Sequence, residues 1–134
     1  MPTINPFRGW LYNQSKLPDL SKVITPPYDN ISPIDQNKFY KASDHNFVRL
    51  ILNNAQGDSR YSAAADTLAT WQANQILIQD KQPAIYLLTQ SFHQSGRLVN
   101  RTGIIAALKL EDLGSSILPH ERTFPKHIKD RYQL

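Results

Sequence analysis

Leu118-Pro119-His120-Glu121-Arg122-Thr123 puts an imidazole, a carboxylate, a guanidinium and a hydroxyl into four positions behind a proline. A carboxylate can take the proton from a substrate hydroxyl, and an arginine can hold phosphate oxygens through paired N–H donors. In an extended backbone His120 and Arg122 face one way, and Glu121 and Thr123 the other. The plainer alternative is a surface turn with a local Glu–Arg pair worth ~0–1 kcal/mol, and the residues alone leave the two readings even. Glutamate is scarce: nine of the 11 acids are Asp, leaving Glu111 and Glu121. A second candidate is Thr25-Pro26-Pro27-Tyr28-Asp29. Two prolines stiffen the chain there and hold the Tyr hydroxyl and the Asp carboxylate in set directions, as a preorganised site requires. The alternative is a Pro-Pro turn whose Asp29 caps the helix after Ser32, and the turn propensity of Asp favours it.

Other chemistries are excluded by what is missing. The 134 residues contain no cysteine, so disulfides, thiolate metal sites and Cys nucleophiles are ruled out. No phosphate-binding P-loop, dinucleotide glycine motif, Gly-x-Ser-x-Gly elbow or His-Glu-x-x-His zinc motif occurs. His120, Glu121 and His127 are metal-ligand types, but Pro125 prevents their sharing one helix, and no metal is assigned. Fifteen Lys and Arg against 11 acids give a net charge of +4. The densest basic stretch, Arg122, Lys126, Lys129 and Arg131, is opposed by Glu121 and Asp130, so residues 120–134 hold only two of the four net charges. Charge dispersed in this way argues against a nucleic-acid partner. No apolar run approaches the ~18 residues of a membrane span, and Pro2, Pro6 and Pro18 with Asn, Gln and Asp exclude a secretory signal in the first twenty residues. A cytoplasmic, soluble protein without membrane attachment is expected.

The elements that must position these residues read as an α+β order. Three prolines leave little regular structure in residues 1–20, where Phe7, Trp10, Leu11 and Tyr12 can dock the segment. Residues 21–25 read as a strand stopped by Pro26-Pro27, and Tyr28 to Ile31 as a loop. Ser32, Pro33 and Asp35 begin a helix that runs to about Ala42. Residues 47–52 read as a buried strand and Asn53 to Asp58 as a turn. Asp58 or Ser59 caps a second helix through about Asn74, with Tyr61, Ala64, Ala65, Leu68 and Trp71 on one face; Ile76 to Ile78 closes it or begins a short strand. Residues 84–92 and 98–110 are the longest strands, joined by a bulged loop from His93 to Arg97 containing Gly96. Small residues around Gly103 suggest the close approach of a neighbouring backbone. The fold class is α+β, a mixed and mainly antiparallel sheet with two or three helices. Residues 1–116 form the expected domain, and 117–134 begin a following region. Ile128 and Tyr132 are spaced as a helix start just before the chain stops at Leu134, which reads as a truncated element.

In order along the chain, Asn5-Pro6-Phe7-Arg8-Gly9, Lys22-Val23-Ile24-Thr25-Pro26-Pro27-Tyr28-Asp29 with Ile31-Ser32-Pro33, Asn46-Phe47-Val48-Arg49-Leu50, Asp58-Ser59-Arg60-Tyr61 and the segment from Leu118 to Thr123 resemble the domain of unknown function 1015 family. The resemblance covers essentially the whole chain and departs at Asn30, where Val is common, and Phe124, where Leu is common. Full-length members continue into a region with an Asp-Gly-His-His-Arg segment that has no counterpart here. That segment looks like the phosphate-binding motif of ParB-like free-serine kinases, in which a Pro-His-Glu segment supplies the carboxylate near the serine hydroxyl. By that resemblance this chain is the amino-terminal part of a small-molecule kinase, with Glu121 as base and His120 beside it as catalytic residues. Arg122, Thr123, Tyr28, Asp29 and Arg49 would then contact substrate or phosphate. The implied donor is ATP or pyrophosphate with Mg2+, a small molecule such as free serine is the acceptor, and the chain by itself is catalytically incomplete. The alternative is a non-catalytic nucleotide- or nucleic-acid-binding module, since ParB-like folds also serve in that way.

Overall fold

The computed structural model describes residues 1–114, 116–118 and 132. Among these are three α-helices, α1 (Pro33–Ala42), α2 (Val48–Ile51) and α3 (Ser59–Ala73). Six strands, β1 (Ile4–Asn5), β2 (Trp10–Tyr12), β3 (Leu77–Gln79), β4 (Tyr86–Gln94), β5 (Arg97–Ile105) and β6 (Ala107–Leu108), form three two-stranded sheets, β1 with β6, β2 with β3 and β4 with β5. The fold is α+β, as expected. The chain divides into two compact units: Leu11–Ile78, and Met1–Trp10 with the described residues 79–118.

The unit Leu11–Ile78 holds the apolar core. Leu50, Trp71, Ile76 and Leu77 are buried together, with Tyr12, Leu17 and Ile51 packed against them. The Tyr12 and His45 rings lie 6.0 and 5.8 Å from that of Trp71. Helix α1 begins as read: Ser32 accepts from the Asp35 N–H, Pro33 occupies the first turn, and the Ser32 hydroxyl donates to the Asp35 carboxylate. The Ser32 hydroxyl, and then Lys38, hold the Asp35 carboxyl below its ordinary range. Helix α3 buries only Ala64 and Trp71, while Ala65 and Leu68 of the expected face are exposed. Asp58 occupies its N-cap position without a side-chain cap. The helix ends in a left-handed residue, Gln75 (φ 56°), with Ile76 N–H bonded to Trp71 O at 2.8 Å and Gln75 N–H to Gln72 O at 3.0 Å, the pairing of a Schellman motif.

Two strand readings are corrected in this unit. Within residues 47–52, Val48–Ile51 form α2 and no strand is present. Asn46 Oδ1 accepts the Val48 N–H at 3.0 Å, which supplies a turn at the start, and Val48 and Leu50 are buried in helical form. An apolar run of this length fits either element by pattern alone. Residues 21–25 are not a strand either: Leu20–Lys22 is a 3-10 turn started by Asp19, which accepts from the Ser21 N–H. A side-chain acceptor next to the backbone competes with strand pairing. The expected loop after Pro27 is a further 3-10 turn, Tyr28–Asn30.

In the other unit the first residues are more regular than the prolines suggest. Strand β1 pairs antiparallel with β6, Ile4 opposite Leu108 and Asn5 opposite Ala107, and Phe7 bridges Ala84. The hairpin β4–β5 is tighter than read. Ser95 and Gly96, at φ 51° and 77°, make a two-residue turn in place of the bulged loop, the left-handed pair that matches strand twist. The single strand expected over 98–110 is two, because the chain changes partner at Ala106 from β4 to β1. The approach expected at Gly103 is absent, since nothing lies within 4 Å of a Cβ added there; it occurs at Gly9, where a Cβ would meet the Tyr86 hydroxyl at 2.7 Å. The helix start read from Ile128 falls outside the described residues.

Candidate functional site

The backbone that leads into the Tyr28–Asp29 corner is held by hydrogen bonds at residues 22–24. Asn46, 1% exposed, donates through Nδ2 to Lys22 O (2.8 Å) and Ile24 O (3.2 Å). The neighbouring Phe47 N–H reaches Val23 O at 2.8 Å, and the Val23 side chain is buried. The backbone just before Thr25-Pro26-Pro27 is therefore bonded at three consecutive carbonyls to the start of α2. The rings of Pro26 and Pro27 confine φ at both positions to a narrow range, and Tyr28–Asn30 closes as a turn with Asn30 N–H on Pro27 O at 3.0 Å. Tyr28 is half-buried and Asp29 exposed. Asp29 does not cap α1, because the Ser32 hydroxyl holds that position.

Arg49 lies in the single turn of α2, three residues beyond Asn46. Its guanidinium stacks on the Tyr40 ring, 4.4 Å from the centroid, and Nη2 donates to Tyr40 O at 3.1 Å and Asp44 Oδ1 at 2.9 Å. The Arg49 side chain is 24% exposed and that of Asp44 91%, so the ion pair reaches into water and adds little stability. The Arg49 Nε is buried and has no hydrogen-bond partner among the described residues. A buried guanidinium N–H without an acceptor is uncommon and costs free energy. Asn46 thus joins the Tyr-Asp corner and the Arg49 helix in one framework. His120, Glu121, Arg122 and Thr123 lie outside the described residues, as does His127.

One polar cluster escaped the sequence reading. In the unit that contains β4, the Tyr86 hydroxyl donates to Asp80 Oδ2 at 2.5 Å and accepts from the Gly9 N–H at 2.7 Å. Arg8 Nε donates to Asp80 O at 2.6 Å, and the Phe7 ring lies 5.2 Å from that of Tyr86. The Asp80 hydrogen bond, with some burial, raises the Tyr86 pKa. The cluster is a clamp that fixes the Phe7-Arg8-Gly9 backbone. Its one signal in the sequence was a glycine directly after Phe-Arg, and the partner lies 77 residues away. No group of three His, Asp or Glu that could hold a metal occurs among the described residues, and none of their helices is long and apolar enough to cross a membrane.

Compared with known proteins, residues 4–134 match the family described as "Protein of unknown function (DUF1015)". No curated protein and no solved structure matches the chain.

Proposed function

The chain belongs to the DUF1015 family, and on that premise we propose that it is the amino-terminal part of a small-molecule phosphotransferase, with free serine as the acceptor. The observation that supports this reading is the Asn46 framework. It ties a proline-stiffened Tyr-Asp corner to the helix bearing a guanidinium whose Nε has no acceptor among the described residues. Phosphoryl transfer asks little covalent chemistry of a protein; it needs an oriented hydroxyl, a base and positive groups on the phosphates. In the proposal Glu121 accepts the proton of the acceptor hydroxyl. The hydroxyl oxygen forms a bond to the terminal phosphorus of ATP or pyrophosphate, and the bond from that phosphorus to its bridging oxygen breaks, releasing ADP or orthophosphate. His120 is the second catalytic residue of the proposal, and Arg122, Thr123, Tyr28, Asp29 and Arg49 are its substrate- or phosphate-binding residues. Mg2+ accompanies the donor.

The test is phosphoserine formation by the protein of the complete reading frame, supplied with serine, Mg2+ and either ATP or pyrophosphate. Glu121→Gln should lower kcat by about 10²–10⁴-fold, while KM for the donor changes little. No phosphorylated product from either donor, with Glu121→Gln indistinguishable from wild type, would overturn the proposal. Binding of DNA or RNA that weakens steeply with salt would favour the nucleic-acid module instead.

A further inference from the structure

Arg49 is held by two partners of different kind. Its Nη2 donates to Tyr40 O at 3.1 Å and to Asp44 Oδ1 at 2.9 Å. Tyr40 belongs to helix α1, its ring stacks on the guanidinium 4.4 Å from the centroid, and its hydroxyl accepts the Asn54 N–H at 3.0 Å. That support is fixed at both ends. Asp44 lies beyond the end of α1 with a side chain that is 91% exposed, and the side chain makes no other hydrogen bond among the described residues. Water screens such a pair, so its carboxylate exchanges readily. Asp44 also engages the guanidinium through one oxygen, where a fork of donors is offered, and the Arg49 Nε stays buried without an acceptor among the described residues.

We propose that Asp44 is an internal competitor at a phosphate site: its carboxylate occupies the Arg49 guanidinium in the free protein and gives way to a phosphate group of the incoming ligand. This rests on Arg49 being a phosphate contact, and adds what fills the position before the phosphate arrives. A phosphate brings more oxygens and more charge than a carboxylate. Seated in place of Asp44, it engages Nη2 and a second N–H of the fork together. Tyr40 stays in place through the exchange, and its ring and carbonyl keep the guanidinium aimed while the Asp44 side chain turns into water. Tyr40 is therefore a positioning residue. The competitor also makes the site selective, because a weakly charged ligand does not offset the loss of the Asp44 pair and a phosphate does.

The test is calorimetric titration of the full 134-residue chain with pyrophosphate and, separately, with ATP. Asp44→Asn removes the competing charge and should tighten binding about two- to fivefold, the ratio that corresponds to releasing an exposed ion pair. Asp66→Asn makes the same change of net charge at an exposed position of α3 and should leave binding as in wild type. Arg49→Lys keeps the charge and loses the fork, and should weaken binding about tenfold or more. Tyr40→Leu should also weaken it, while Tyr40→Phe, which keeps the stacked ring, should not. If circular dichroism shows Arg49→Lys or Tyr40→Leu to be unfolded, the two Asp variants decide. No binding of either ligand by wild type or Asp44→Asn, equal binding by the two, or equal tightening by Asp44→Asn and Asp66→Asn would each overturn the proposal. Because the readout is binding, the expected pattern without any phosphoserine formation would remove the kinase reading and leave the phosphate site standing.

Discussion

Asn46 makes three hydrogen bonds with a side chain that is 1% exposed, two as donor to Lys22 O and Ile24 O and one as acceptor from Val48 N–H. Alanine there would leave the buried Val48 N–H and two part-buried carbonyls without this partner. Each such group costs about 1–3 kcal/mol, so Asn46→Ala should lose roughly 2–4 kcal/mol in urea denaturation. Leucine, which is nearly isosteric, should be no better, because the loss is of polar partners and not of volume. Two phenols make the fold sensitive to alkaline pH. Burial raises the Tyr12 pKa, whose hydroxyl donates to His45 O at 2.8 Å, and the Asp80 hydrogen bond raises that of Tyr86. A group with a folded pKa above its unfolded value contributes fully below the unfolded pKa, here about 10, and loses that contribution as pH rises toward the folded pKa. Stability should therefore hold to about pH 9 and fall beyond about pH 10, and Tyr12→Phe should flatten the fall in a series of urea midpoints. Parallel profiles for wild type and variant would refute the assignment.

Element by element, local capping signals were legible and partner-dependent structure was not. Ser32-Pro33 with Asp35 started α1 as read, because an N-cap, a first-turn proline and a first-turn acid act within one turn. Residues 47–52 read as a strand, yet Val48–Ile51 form α2, since burial suits both elements and the deciding bond comes from Asn46, just outside the run. The end of α3 offers a test at this scale. Gln75 sits at φ 56°, where a side chain is disfavoured and glycine is not. Gln75→Gly should stabilise the protein by about 0.5–1 kcal/mol, read as a raised thermal midpoint. Substitution by valine, branched at Cβ, should destabilise it.

Over the molecule as a whole, the buried apolar side chains are unevenly shared. Val23, Val48, Leu50, Ala64, Trp71, Ile76 and Leu77 all belong to Leu11–Ile78. Protection in hydrogen exchange follows buried contacts, and an isolated two-stranded hairpin is marginal in water. At low protein concentration the amides of α3 and of Ile76 should therefore exchange slowest, and those of β4 and β5 orders of magnitude faster. Uniform protection across both would contradict this picture. Trp71→Ala should cost about 3–5 kcal/mol, the range for emptying a large aromatic site. The amino-acid sequence alone determined the α+β class, the start of α1, the extent of α3, the hairpin and the family, because each depends on neighbouring residues or on ordered motifs. Tertiary structure decided that Asn46 ties the Pro-Pro-Tyr-Asp corner to the Arg49 helix and that Gly9 is closed over by Tyr86. Those contacts join residues 22 and 77 positions apart at their nearest and farthest, and no local propensity records which distant carbonyl or hydroxyl will arrive to complete a buried polar group.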